Sequence, residues 1–357
     1  MKRFLTSGFT LVELLVVIAV IGLLLGMFLP FAGRGVRGAA RRTDCANRMR
    51  QLAIASHNYH EAHQHLPSVM GPLPDTYIEA GSSSRLSGFV SLFPYMEQHD
   101  IWDEIVKART YEGVRFPAGP EPWSTGYEPY SQRIEALLCP SSSDNKTEFG
   151  NTNYAFSIGD VARSIHNPTT ARGAFACGIK SNLTNDFPDG TSNTIALLEV
   201  EVANSRLVAG QYAINQAQNF LDNPSACLKL ADSEQQKKYY VDSVQLSQHG
   251  RGSNWASGTA ESTLANTILA PGSPSCAIGG SQGVDGFYSA SSSHDSGVNV
   301  AFMDGSVHHI ISSINAGDPS VSAPTQAELA TAGFLSPYGV WGALGGKNDG
   351  GATNDDF

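Results

Sequence analysis

The sequence predicts an α+β fold: a long N-terminal helix, membrane-spanning in its first half, with its second half packed on an antiparallel β-sheet body. Three observations carry this. Residues 9–31 are almost wholly apolar, a helical stripe with spacings of four and three runs from Cys45 to Leu66, and the chain beyond Pro67 alternates short strand-like bursts with loop residues.

Residues 1–8, MKRFLTSG, form a short basic leader with no apolar core of their own. Phe9–Phe31 then supplies 23 residues, enough to cross a bilayer as a helix. A cleavable secretory signal has a shorter apolar region ending in small residues at the cut site, so that reading does not fit. Pro30, Gly33, Gly35 and Gly38 predict a kink or melted turn, which makes 32–66 a kinked continuation of the helix. In that continuation Cys45, Met49, Leu52, Ser56, Tyr59, His63 and Leu66 share one face, and Pro67 ends it.

The body is expected to be β-rich over 67–335. Gly88–Tyr95 and Ile195–Val202 are strand-like, and 203–283 is a polar, elaborated region low in aromatics. A Gly/Asp/Asn-rich tail takes 336–357. The clearest local structure lies in Gly297–Ser312, where two alternating runs flank Asp304-Gly305, the signal for a two-residue hairpin turn. Folding there pairs Phe302 with Val307, Val300 with His309 and Val298 with Ile311.

A formal net charge of −10 argues against nucleic acid as a partner, since phosphate binding needs a positive surface. The basic residues Arg34, Arg37, Arg41, Arg42, Arg48 and Arg50 cluster just after the apolar run and suit anionic headgroups or acidic neighbours. Five cysteines without CxxC spacing allow two bridges and one remaining thiol rather than a zinc motif.

The stretch GFTLVELLVVIAVIG resembles the type IV prepilin signature. The resemblance implies cleavage after Gly8, methylation of Phe9 as the new N-terminus, and an assembly role for Glu13 at the fifth mature position. A carboxylate in a membrane helix costs about 3 kcal/mol, so it needs a partner. In pilin-like assemblies that partner is the terminal ammonium of a neighbouring copy. The expected partners are therefore other copies or related pilin-like subunits, a prepilin peptidase and the membrane. The expected location is the inner membrane, single-pass, with the body in the periplasm or at the cell surface. Counting charges alone would put the body on the cytoplasmic side; the longer motif is given precedence.

Three further segments, Cys45–Pro67, Asp189–Ile195 (DGTSNTI) and His294–Val307, resemble a planctomycete family of unassigned function. That family joins a prepilin methylation site to a C-terminal His-x9-Asp-Gly motif, here His294, Asp304 and Gly305. The chain departs from it at Asp295-Ser296-Gly297 and at Leu198-Glu199. The family implies export and a pilin-like architecture, and suggests a Cys45–Cys139 bridge. Cys227–Cys276 is then the nearer remaining pair, leaving Cys177 free.

Other candidates are weighed against plain structural roles. His57, His60, His63 and His65 have metal-binding spacing, but a polar helix end accounts for them better. His294 and Asp304 are separated by a strand, so strand entrance and turn are the favoured roles. Asp189, Glu199 and Glu201 fit carboxylate chemistry only loosely, and Ser192 is on no nucleophile elbow, so no enzyme is expected. No cofactor is expected; calcium is the better ligand candidate, held by the oxygen-rich end through Asp349, Asp355 and Asp356, although such Gly-rich acidic tails are more often disordered. The leading reading is a pilin- or pseudopilin-like structural subunit; the alternative is a surface-tethered glycan- or solute-binding module.

Overall fold

The computed structural model describes residues 9–73, 82–142, 147–202, 205–234, 236–280, 284–294 and 296–350; side chains at 25 and 27–37 are not described. Helix α1, Leu11–His63, spans 53 residues, about 80 Å at helical rise. Thr10 starts it with a reciprocal cap: its hydroxyl accepts from the Glu13 amide while the Glu13 carboxylate accepts from the Thr10 amide at 2.9 Å. At the other end Gln64 adopts a left-handed conformation and its amide caps the His60 carbonyl at 2.7 Å. The helix therefore stops four residues before Pro67.

No melted turn interrupts α1 at Pro30 or at Gly33, Gly35 and Gly38. A proline removes only one helical donor, and regular helix on both sides holds the segment in register. Among the described residues no helix is long and apolar enough to cross a membrane; the contiguous described side chains of the apolar stretch end at Leu24. What they show is a helix bare on every side, with Leu11, Val12, Leu14, Leu15, Ile18 and Leu23 all more than half exposed. Among the described side chains burial begins at Cys45, after seven consecutive exposed residues (38–44). From there Cys45, Met49, Leu52, Ser56 and Tyr59 are buried, as the stripe predicts, whereas His63 is only partly so.

The strands are β1 Met70–Gly71, β2 Leu86–Ser87, β3 Arg109–Tyr111, β4 Val114–Phe116, β5 Tyr154–Ser157, β6 Ile195–Glu199, β7 Tyr212–Gln216, β8 Leu264–Ala265, β9 Ser275–Ile278, β10 Gly286–Phe287, β11 Gly297–Phe302 and β12 Val307–Ile311. The central sheet has the order β12-β11-β6-β5-β8. It is mixed rather than purely antiparallel, because β8 joins β5 in parallel. Strands β5, β6 and β11 are buried at every position, as expected where both faces of a sheet are covered. Alternation sends Tyr154, Phe156, Leu197 and Ala301 into the core shared with α1. Ala155, Leu198, Val300 and Phe302 enter a second core with Trp341 and Leu344. Those two come from a short helix, Gly339–Gly345, so this part of the expected tail packs into the body, and 351–357 lie outside the described residues.

The region 203–283 contributes β7, β8 and β9, and a three-stranded sheet β10-β9-β7 forms there. Arg251 welds it to the central sheet. Its fully buried guanidinium donates to the carbonyls of Glu261, Leu264 and Ser289 and to the Ser275 hydroxyl at 2.6–3.1 Å. Burial pushes its pKa down to about 10, still well above neutrality.

The β11–β12 hairpin forms one residue out of the expected register. Ala301 pairs with Val307, Val300 with His308, and Val298 with Ile310. The Gly305 amide donates to the Phe302 carbonyl, and the Phe302 amide to Ser306, so the loop is Met303-Asp304-Gly305. Gly305 has φ +84°, and Asp304 Oδ1 accepts from the Ser306 amide at 2.8 Å. This is a type I turn closed by a left-handed glycine, not a two-residue turn. A Cβ at position 305 meets nothing within 4 Å, so only backbone strain opposes a side chain there. Gly305→Ala should cost about 1–2 kcal/mol in urea unfolding; an unchanged midpoint would contradict the turn geometry.

Candidate functional site

The three segments Cys45–Pro67, Asp189–Ile195 and His294–Val307 meet in space. His57 on α1 contacts the Met303 carbonyl through Nε2 at 2.5 Å. The Met303 and Asp304 amides donate to the carbonyls of Thr194 and Thr191 in DGTSNTI. The Asp304-Gly305 end of β11 is thus a packing junction, with Asp304 itself exposed.

His294 lies at the opposite end of β11 and makes no contact with Asp304. Its Nε2 stands 3.4 Å from Glu199 Oε1 and 3.6 Å from Cys139 Sγ, with both side chains of the His–Glu pair almost wholly buried. Cys139 is bonded to Cys45, with Cα atoms 4.9 Å apart. The donor atoms of Cys45, Cys139, Glu199 and His294 all lie within 4.8 Å of one another.

Glu199, Cys139 and Cys45 are each held from behind. Asn299 donates to Glu199 twice, from its amide and from Nδ2, both at 2.8 Å. His309 Nδ1 lies 3.3 Å from Asn299 Oδ1. Asn153 accepts from the Cys139 amide at 3.0 Å, and Tyr154 donates to the Cys45 carbonyl at 3.1 Å. Burial, with the neighbouring Glu199 charge second, pushes the Tyr154 phenol far above its ordinary range. Arg48 donates to the carbonyls of Glu135 and Leu138, so this member of the basic cluster braces the loop before Cys139. Glu201 accepts from the hydroxyls of Ser142 and Ser293. Cys139 lines an open cleft of about 280 Å³ with Arg133, Pro140, Ser142, Asn151, Asn153 and Val202.

The remaining candidates are placed elsewhere. His60 Nε2 accepts from the Leu183 amide, His63 Nε2 lies 3.1 Å from the Tyr95 hydroxyl, and His65 Nδ1 lies 2.9 Å from the Leu66 carbonyl. His63 and His65 lie together with ring centroids 6.0 Å apart, while His57 and His60 turn to other partners. Asp189 accepts from the amides of Asp349 and Gly350. Asp349 is buried and engaged by Arg172, which also bonds Asp160 at 2.9 Å. Asp355, Asp356 and Gly8 lie outside the described residues. Cys227 pairs with Cys276, and Cys177 is free and buried. Glu199 was read from sequence only as a loose carboxylate. Its place on the α1 face of β6, two residues after Leu197, was the signal that could have brought it to Cys45.

Comparison with known proteins follows the same division of the chain. A family model described as a protein of unknown function (DUF1559) matches residues 34–317. The chain belongs to the DUF1559 family. A second model, the prokaryotic N-terminal methylation motif, matches residues 4–29 of this DUF1559 protein, which gives it a prepilin-type N-terminus. No curated protein and no solved structure matches the chain.

The cysteine states give a direct check. Burial pushes the Cys177 thiol up to about 12, so it stays neutral and unreactive in the folded protein at pH 8. Its contribution to stability is complete below the unfolded pKa near 9 and is lost as pH rises toward 12. Mass spectrometry after iodoacetamide treatment should find no alkylation of the native chain, one site after unfolding without reductant, and five with reductant. Alkylation of Cys177 in the folded state would contradict its burial.

Proposed function

We propose that this protein is an exported, membrane-anchored, pilin- or pseudopilin-like structural subunit that assembles through its N-terminal helix. One observation carries the reading: the described side chains of α1 within the methylation motif, from Leu11 to Leu24, are apolar apart from Glu13 and exposed on every side. Such a helix needs lipid or other helices around it. Cleavage after Gly8 would leave Phe9 as a methylated ammonium, and Glu13 would exchange its bond to Thr10 for the Phe9 ammonium of a neighbouring copy. The exposed Arg41 and Arg42 then sit where headgroups or acidic neighbours would meet them. The subunit has a structural rather than a catalytic role in this reading.

The test is proximity between copies in the native membrane. With a cysteine introduced at Val16, bismaleimide should join copies into dimers and higher species, and the processed chain should begin at methylated Phe9. Glu13→Ala should reduce crosslinking at least tenfold, given a cost of about 3 kcal/mol for an unpaired membrane carboxylate. Undiminished crosslinking in Glu13→Ala, or a chain that retains residues 1–8, would sink the assembly mechanism.

A second reading, capture of a glycan or other solute, is favoured by a cleft of about 540 Å³ at the end of α1, lined by Tyr59, His63, His65, Met70, His166 and Lys180 among others. Tyr59 and His63 stack there with ring centroids 4.2 Å apart. Burial, followed by the nearby His65 and Lys180, lowers the pKa of His63, so Lys180 brings the fixed charge and the cleft suits a neutral or anionic solute. A panel of neutral and acidic oligosaccharides should raise the Tm of the detergent-solubilised chain, and Lys180→Ala should cut the shift by half or more. No shift with any of them would remove this reading.

A further inference from the structure

Cys45 comes from α1, Cys139 from the loop after the short 3-10 turn Glu135–Leu137, Glu199 from the end of β6, and His294 from the approach to β11. Four remote parts of the chain thus deliver two sulfurs, an imidazole nitrogen and a carboxylate oxygen to one point. We propose that this point is a redox-gated zinc site: when the bridge is reduced, the thiolates of Cys45 and Cys139, His294 Nε2 and Glu199 bind one zinc ion in place of the disulfide.

The geometry is already close to that of such a centre. Zinc bonds of about 2.0–2.1 Å to nitrogen and oxygen and 2.3 Å to sulfur set tetrahedral donor–donor edges of about 3.3–3.8 Å. His294 Nε2 lies 3.6 Å from Cys139 Sγ and 3.4 Å from Glu199 Oε1. The pair that differs most is the two sulfurs, joined at 2.02 Å. Once reduced, they separate to van der Waals contact, about 3.7 Å, which is the tetrahedral edge. Side-chain rotation at two cysteines is then the principal movement required.

The surroundings supply what a metal centre needs beyond its ligands. Asn299 fixes the Glu199 carboxylate through both oxygens and leaves a second lone pair of Oε1 facing His294. Such supporting bonds hold a ligand in place before the ion arrives. Two thiolates and a carboxylate leave a zinc centre with one net negative charge. Arg48, bonded to the Leu138 carbonyl next to Cys139, provides a nearby positive charge. The cleft at Cys139 gives the reductant and the ion a way in. A mixed sulfur, nitrogen and oxygen set selects zinc over calcium or magnesium, which take oxygen ligands.

The chemistry balances with an external phosphine as reductant. Two electrons from the phosphine and two protons from solvent convert the bridge to two thiols, while the phosphine takes an oxygen from water as its oxide. Zinc then displaces both thiol protons to solvent, so uptake should strengthen as pH rises. Without zinc, molecular oxygen takes two electrons and two protons from the thiols, leaving as hydrogen peroxide, and the disulfide is restored. In either state α1 stays fastened to the body at the same place.

The full chain in detergent would be reduced with a phosphine, freed of it under nitrogen, and titrated with zinc against a chromophoric chelator. The expected result is one zinc per reduced chain and none per oxidised chain. Cobalt in place of zinc should give the intense visible bands of a tetrahedral thiolate centre. His294→Ala and Glu199→Gln should each weaken binding at least tenfold. Glu199→Gln preserves shape and one acceptor, and each variant's disulfide can be formed first to verify its fold by near-UV circular dichroism. If His294→Ala fails to fold, Glu199→Gln decides. The proposal is overturned if the reduced chain takes up no zinc, if the oxidised chain takes up as much, or if folded Glu199→Gln binds as tightly as the parent.

Discussion

The covalent link between Cys45 and Cys139 is the constraint on which the rest of the arrangement depends. Among the described side chains, those of α1 before the bridge are exposed, and burial starts at the bridge itself. Cysteines 94 residues apart close a long loop, which in the chain-entropy picture stabilises the fold by about 4–5 kcal/mol. The polar groups around the bridge follow from that fixed point. Tyr154 and Arg48 satisfy the carbonyls that flank it, and Asn153 holds the Cys139 amide. These bonds leave little freedom for the loop that presents Cys139 to its cleft.

A docked helix in turn explains why the central sheet has two dry faces. Residues alternating along β5, β6 and β11 divide between α1 on one side and the Gly339–Gly345 helix on the other. Glu199 and Asn299 are polar exceptions within this layer, and each satisfies the other. A buried carboxylate is costly unless fully bonded, so the pair is stable in the core only because it is adjacent across the strands. That adjacency is what points Glu199 at His294 and the sulfurs.

Much of this was legible in the sequence, for identifiable reasons. The helix face from Cys45 to Tyr59 was readable because its spacing repeats over several turns. The prepilin-type N-terminus was readable because a lone glutamate in an apolar run is rare. The hairpin was legible but not its register, because Asp-Gly serves both two- and three-residue loops and the Asp304–Ser306 bond decides between them. Trp341 gave no periodic signal within its glycine-rich surroundings, so its role as the plug of the second core was hidden. The cluster at His294 was hidden for a different reason. It is assembled from contacts that are remote in sequence, and His294 had been considered with Asp304, from which β11 separates it.

The position of Cys45 on α1 also has a mechanical meaning. A subunit tethered by its N-terminal helix receives any pull along that helix, and the load reaches the body at Cys45, the first buried residue among those described. There it passes into a covalent bond and across to the loop at Cys139 before it reaches Met49 or Leu52. Tension therefore cannot peel the helix off the sheet one residue at a time. The weaker apolar contacts behind the bridge are shielded from traction, and the body behaves under load as a riveted piece rather than a zipper.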